Sequence, residues 1–159
     1  MSIRDLDELL AELTVSQRLG SWCMVSGVAL SDDVDVAAMV TEAEGTTVVI
    51  SAADAMRMGR EPEFVAAWLP LNVDSTLDAV GLTAAVSSAL AADGIPCNML
   101  AGYHHDHLLV PIESAERAIA SYPNPIIKRP SWRPSEPIEA SLENEARWAD
   151  LVEPVGGRL

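Results

Sequence analysis

Positive charge is scarce in this 159-residue chain: ten Lys and Arg stand against 24 Asp and Glu, and Lys128 is the only lysine. No basic patch is visible. Nucleic-acid binding depends on neutralising phosphates with Lys and Arg, so the net charge of −14 argues against that partner and against an anionic membrane surface. Long apolar runs are absent too. None approaches the roughly 20 residues that a membrane-spanning helix needs, and no basic segment followed by an apolar run marks a secretory leader near the N-terminus. Cysteine is limited to Cys23 and Cys97, far apart and without metal or redox spacing. They read as buried thiols of a cytoplasmic protein, and nothing supports a disulfide between them. Aromatic residues make up only 4% of the chain.

What is present is aliphatic. Apolar residues make up 49% of the chain, enough for a sizeable core in one compact domain or two small units sharing one. The acidity has two readings, a solvated surface or electrostatic selection of cationic or zwitterionic ligands.

The N-terminal half reads as a short amphipathic helix over 2–13, a β-prone run from Trp22 to Leu30, a helix from Val34 to Ala43 stopped by Gly45, and a strand from Thr46 to Ile50. Ser51 then caps a short helix over Ala52 to Met58, closed by Gly59. The second half opens with a strand from Phe64 to Val73. Pro70 cannot donate to a ladder, which predicts a sheet edge or a bulge there. Ser75-Thr76-Leu77-Asp78 fits a capping box for a helix running to about Ala92 and ending at Gly94. Strands over Cys97 to Ala101 and His107 to Ile112 flank a turn, and Ser114 starts a last helix through Ala120.

Each half is therefore an incomplete ferredoxin-like β-α-β-β-α-β unit. Neither closes a four-stranded sheet alone, so the halves are expected to exchange strands or form one joint sheet. The boundaries expected are 1–62 for the first unit, 63–121 for the second and 122–159 for an extension. That extension holds six of the ten prolines. It begins as a linker and then offers Ile138, Leu142 and Ala149, with Trp148, Leu151 and Val152, as one face of an amphipathic helix, which would dock on its own domain or on a partner protein.

Three places could carry chemistry. The first is Asp74 to Thr83: a helix N-terminus offers unpaired N–H groups to a carboxylate, Gly81 permits close approach to the backbone, and Asp78 either pairs with a ligand amine or caps its own helix. The second is Asn98, an amide for a ligand or for a neighbouring turn. The third is Tyr103-His104-His105-Asp106-His107. His105 and His107 share a face of an extended strand, which permits two imidazoles on one metal, but no further Cys or His completes a tetrahedral set. A hydrogen-bonded turn, or a contact from Asp106 or a histidine to an organic ligand, is the preferred reading. No nucleophile motif, Walker loop or G-x-G-x-x-G element is present, so neither an enzyme nor a bound cofactor is expected.

The run Val73 to Val86, with V-G-L-T-A at residues 80–84, then Gly94-Ile95-Pro96-Cys97-Asn98, Ala101-Gly102-Tyr103 and H-D-H-x-x-V-P at 105–111, resembles small bacterial ACT-domain proteins over about residues 68–120. Glu42 to Gly45 leading into Thr47 to Ile50 is a weaker counterpart in the first half. The chain is also similar to the ACT units of aspartate kinases and of a cytosolic arginine sensor. The resemblance implies an α/β, ferredoxin-like ACT fold of two ACT-like units with antiparallel sheet packed by helices, a homodimer, and a regulatory role in binding a small effector, an amino acid above all. The alternative it leaves is a dimerisation or protein-interaction module that has lost its ligand. Carried over by position, the ligand-binding residues are Ser75, Leu77, Asp78, Val80, Gly81 and Thr83, with Asn98 and Asp106 facing them. Two features depart from the family: the extension after Tyr122, and His104, which stands where an aromatic or apolar residue is expected.

Overall fold

The computed structural model describes residues 5–122. The expected helix in the extension therefore lies outside the described residues. Helix α1 (Leu6–Glu12) starts at Asp5, whose carboxylate accepts from the N–H groups of Asp7 and Glu8. Then come β1 (Thr14–Val15), β2 (Arg18–Ser26), β3 (Ala38–Glu42), β4 (Gly45–Ser51), α2 (Ala52–Arg57), β5 (Ala66–Asn72), α3 (Leu82–Ala92), β6 (Asn98–Ala101), β7 (Asp106–Pro111), a single 3-10 turn (Ile112–Ser114) and α4 (Ala115–Ala120).

The halves do form one joint sheet. Its order is β3-β4-β2-β5-β7-β6, with β1 also on β5, and every pairing is antiparallel. Side-chain alternation gives this sheet two unlike faces. On one, Leu69 and Leu71 of β5 and Leu108 and Val110 of β7 pack under Leu9 of α1, Leu13 just after it, Val86 and Leu90 of α3 and Ile119 of α4. Cys23, Val48 and Ile50 continue that face under Ala55 of α2. The other face carries Trp22, Val49, Ala66, Trp68 and Leu109, a cluster to which no described helix contributes.

Two expectations are corrected. Residues 38–42 form β3, not the end of a helix. Thr46 to Ile50 pairs back on them through a two-residue turn, with Glu42 opposite Gly45 and Gly45 at φ 140°. Val36 and Val40 stand at helical spacing, but the hairpin supplies the backbone partners that decide the matter.

Pro70 lies in a central strand, between β2 and β7, and not at an edge. Its carbonyl accepts from Ser16 N at 3.3 Å, so its nitrogen, which has no proton to return, faces the same neighbour. The ladder is interrupted there, and that interruption divides β1 from β2. A bulge does follow on the partner strand: Arg18 is opposite Trp68 and Trp22 opposite Ala66, so four steps along β2 match two along β5. Gly20, at φ 92°, lies inside it.

Candidate functional site

The loop after β5 does not start a helix at Ser75. Ala79 N donates to the Thr76 carbonyl at 3.0 Å, which makes the expected capping box a turn. Helix α3 begins six residues later than that box implies, at Leu82, with Gly81 as its capping residue at φ 100°. Gly81 is therefore not a mid-helix glycine. It has no side chain to receive the first-turn N–H groups of α3. A methyl group at Gly81 would stand 2.9 Å from Leu6 Cδ2, so α1 takes up the close approach that this glycine permits. Gly81→Ala is expected to lower stability by about 1–2 kcal/mol, chiefly through the left-handed backbone; urea unfolding of wild type and variant measures it.

Around this helix start, Ser75 is half-buried, Leu77 and Val80 are 73% and 81% exposed, and Asp78 and Thr83 are exposed. Asp106 opens β7, opposite Ala101, at the end of the sheet from which this loop departs. His105 Nδ1 reaches the Val73 carbonyl at 3.3 Å, which requires a proton on that nitrogen, and so ties the β6–β7 connection to the start of the loop. Asn98 is not brought there. It pairs with Leu109, three residues further along β7, and alternation puts it on the opposite face from Asp106.

A second place lies on the face to which no described helix contributes, and sequence reasoning did not assemble it. A cleft of about 430 Å³ is lined by Ser16, Arg18, Trp68, Asn72, His105 and His107, with Ala37 and Pro70 adding apolar wall. The bulge in β2 builds it. Arg18 and Trp22 flank the bulge on one face, and the Arg18 guanidinium carbon lies 4.0 Å from the Trp22 ring centroid and 4.8 Å from that of Trp68. The two indoles meet edge to face at 5.3 Å, and Trp68 meets His107 likewise at 5.5 Å. Asn72 Nδ2 donates to Ser16 Oγ at 3.0 Å.

Burial lowers the Arg18 pKa and the charge of Asp35 opposes this; an arginine still stays protonated at neutral pH. Burial also holds the His107 imidazole below the usual histidine value. His105 and Arg18 add to that, and Asp106 acts against it, so the ring is neutral at pH 7. His107 Nδ1 is buried without a hydrogen-bond partner. The one signal of this cleft in the sequence is the alternation that puts His105 and His107 on one face. Arg18 and Trp68 are brought together only by the β2–β5 pairing.

His104 turns away and packs edge to face on Tyr103, ring centroids 5.0 Å apart. Among the described residues no group of three His, Cys, Asp or Glu is placed to hold a metal ion. Both cysteines are free; Cys23 is buried, which raises its thiol pKa. No described helix is long and apolar enough to cross a membrane.

Comparison with known proteins follows the two halves of the sheet. One ACT-domain family model matches residues 1–67 and another matches residues 63–121. No curated protein matches the chain. A Vibrio cholerae protein, described as of unknown function and a possible transport protein, is 34% identical. The match covers 73% of this chain and 91% of that one, with a TM-score of 0.66. An Agrobacterium tumefaciens protein is 19% identical over 69% of this chain and 85% of its own, with a TM-score of 0.49. A Clostridium acetobutylicum aspartate kinase is 11% identical over 69% of this chain and 33% of its own, also with a TM-score of 0.49. Those last two likenesses are too slight to bear on function. ACT domains are typically regulatory and ligand-binding, and not catalytic. On its two ACT-domain matches and its Vibrio relative, this chain belongs to the ACT-domain family.

Proposed function

We propose that this chain is a non-catalytic regulatory module that binds a free amino acid at the start of α3, with a second copy of the chain closing the site. The observation that carries this is the loop itself: Leu77 and Val80 stand largely exposed beside a helix start whose capping residue, Gly81, has no side chain. The N–H groups of the first turn of α3 suit a carboxylate. Asp78 is the partner for the ammonium group, and Asp106 adds negative charge from the same end of the sheet. Ser75 and Thr83 flank the site with hydroxyls. Leu77 and Val80 suit an apolar contact from the second copy, since apolar side chains in the rim of a ligand site are otherwise left in water. Asn98 lies apart from this arrangement. The free thiols fit a reducing compartment such as the cytoplasm.

Calorimetric titration of the full chain with the common amino acids tests this. One of them is expected to bind, and Asp78→Asn is expected to weaken it by about tenfold or more, the worth of a charge-assisted hydrogen bond, without a change of fold by circular dichroism. Unchanged affinity in that variant overturns the role of Asp78. Binding by no amino acid shifts the balance to the second reading, a dimerisation unit without a ligand. That reading is favoured by the outer strand β3, where Met39 and Val40 are exposed at the edge of the sheet.

A further inference from the structure

We infer that the sheet face carrying Trp22 and Trp68 is the docking surface of this chain's own extension, residues 123–159, seated there by Trp132 and Trp148. An antiparallel sheet with one side in water carries polar residues at alternate positions on that side. Here those positions hold Trp22 and Met24 of β2, Val49 of β4, Trp68 of β5, Leu109 of β7 and Leu100 of β6. Trp22 and Trp68 are 7% and 4% exposed. An apolar sheet face is buried by a second layer of structure, and no described helix supplies that layer on this side. Trp22 Nε1 and His107 Nδ1, both buried on this face, have no hydrogen-bond partner among the described residues. Buried polar atoms are rarely left so, and a docked segment brings backbone and hydroxyl groups to them.

The place where the extension begins, its charge and its composition make it the occupant. It leaves the fold beside an edge of the sheet. At the end of α4, Arg117 Nη2 donates to the Asp93 carbonyl at 2.7 Å. Asp93 closes α3, from which the chain runs into the outer strand β6. Trp68 lies two strands in from β6, about 10 Å across the sheet. Extended chain covers about 3.3 Å per residue, so residues 123–131 reach round β6 to that face with length to spare. Residues 5–122 hold 18 acids and four arginines, whereas residues 123–135 hold Lys128, Arg129 and Arg133 and no acid. Attraction between the two favours cover by this segment over cover by the acidic body of a second copy. Trp132 and Trp148 are half the tryptophans of the chain, and taking their rings out of water stabilises the contact. This surface shares no residue with the site proposed at α3, so either fails without the other.

The test uses the full chain, labelled at tryptophan and methyl groups, with contacts read as nuclear Overhauser effects. The indoles of Trp132 and Trp148 are expected to contact Trp68, Leu100 or Leu109 within one molecule. These contacts should survive dilution and be missing from a mixed sample that reports only contacts between labelled and unlabelled copies. In the double variant Trp132→Ala/Trp148→Ala, the Trp22 indole N–H is expected to exchange at least about tenfold faster, while the methyl signals of Leu71 and Leu108 on the opposite face stay still. Absence of any contact from either indole to this face overturns the inference, as does unchanged exchange in the double variant. So do contacts found only between copies, which make a second copy the source of the cover, or contacts confined to the face of Leu71 and Leu108. If the double variant does not fold, the contacts in the unaltered chain still decide.

Discussion

Trp68→Ala is expected to lower the stability of this protein by about 3–5 kcal/mol, the usual cost of removing a large buried aromatic side chain. That is a large part of the 5–15 kcal/mol typical of a folded domain. Trp68 is only 4% exposed and sits at the middle of β5, opposite Arg18 on one side and Leu109 on the other. No described helix covers this face, so none of α1 to α4 settles into the space. Trp22 and His107, which meet the Trp68 ring edge to face, each lose a partner, and Arg18 loses one of the two rings it lies against. In urea the unfolding midpoint should drop with little change of slope, since the surface exposed on unfolding is nearly the same. A loss below about 1 kcal/mol would show that the face carrying Trp68 is not packed as described.

Gly102→Ala is expected to cost about 2–4 kcal/mol, although Gly102 is on a surface turn and its backbone is not left-handed. The reason is steric. Gly102 N donates to the His105 carbonyl at 3.0 Å, closing the β6–β7 connection, and a methyl group at residue 102 would lie 2.6 Å from that same oxygen. The obstacle is backbone, which cannot swing aside as a side-chain end can. Either the turn opens and its hydrogen bond is lost, or the strands shift to make room, and overpacking adds to the lost bond. The same methyl group would stand 3.2 Å from His107 Nε2. The His107 ring resonances should therefore move, while those of Cys23 and Ile50, at the other end of the sheet, should not. An unchanged unfolding midpoint with unmoved His107 signals would contradict this account of the turn.

Local patterns in the sequence made some of this fold legible. Helix α3 announces itself through Leu82, Val86 and Leu90 at helical spacing, all buried, and Gly94 ends it at φ 66°. The strand ends of β5 and β7 are readable within a residue or two. The misread elements have different causes. Residues 34–43 carry a helix-like spacing, and β4 overrides it by supplying strand partners for residues 38–42. The Ser75–Asp78 box is a sound local signal that the chain uses in a turn, leaving Gly81 to start α3.

The candidate sites divide in the same way. Ser75 to Thr83 are contiguous, so one segment brings them together in any fold. Asn98 and Asp106 are placed by register, and one strand's alternation sends them to opposite faces. The cleft needs Arg18, Trp68 and His107 from three strands and a bulge whose only local trace is Gly20. Nothing within a window of the sequence joins them.

The central claim, that α3 begins at an amino-acid site, is tested most directly by titrating the isotope-labelled full chain with each common amino acid and following backbone amides. One amino acid should move Gly81, Leu82 and Thr83 together, saturably, while Val48 to Ile50 in β4 stay still. If none moves those three amides at millimolar concentration, or if shifts fall only on Arg18, Trp68 and His107, the amino-acid site at α3 is contradicted.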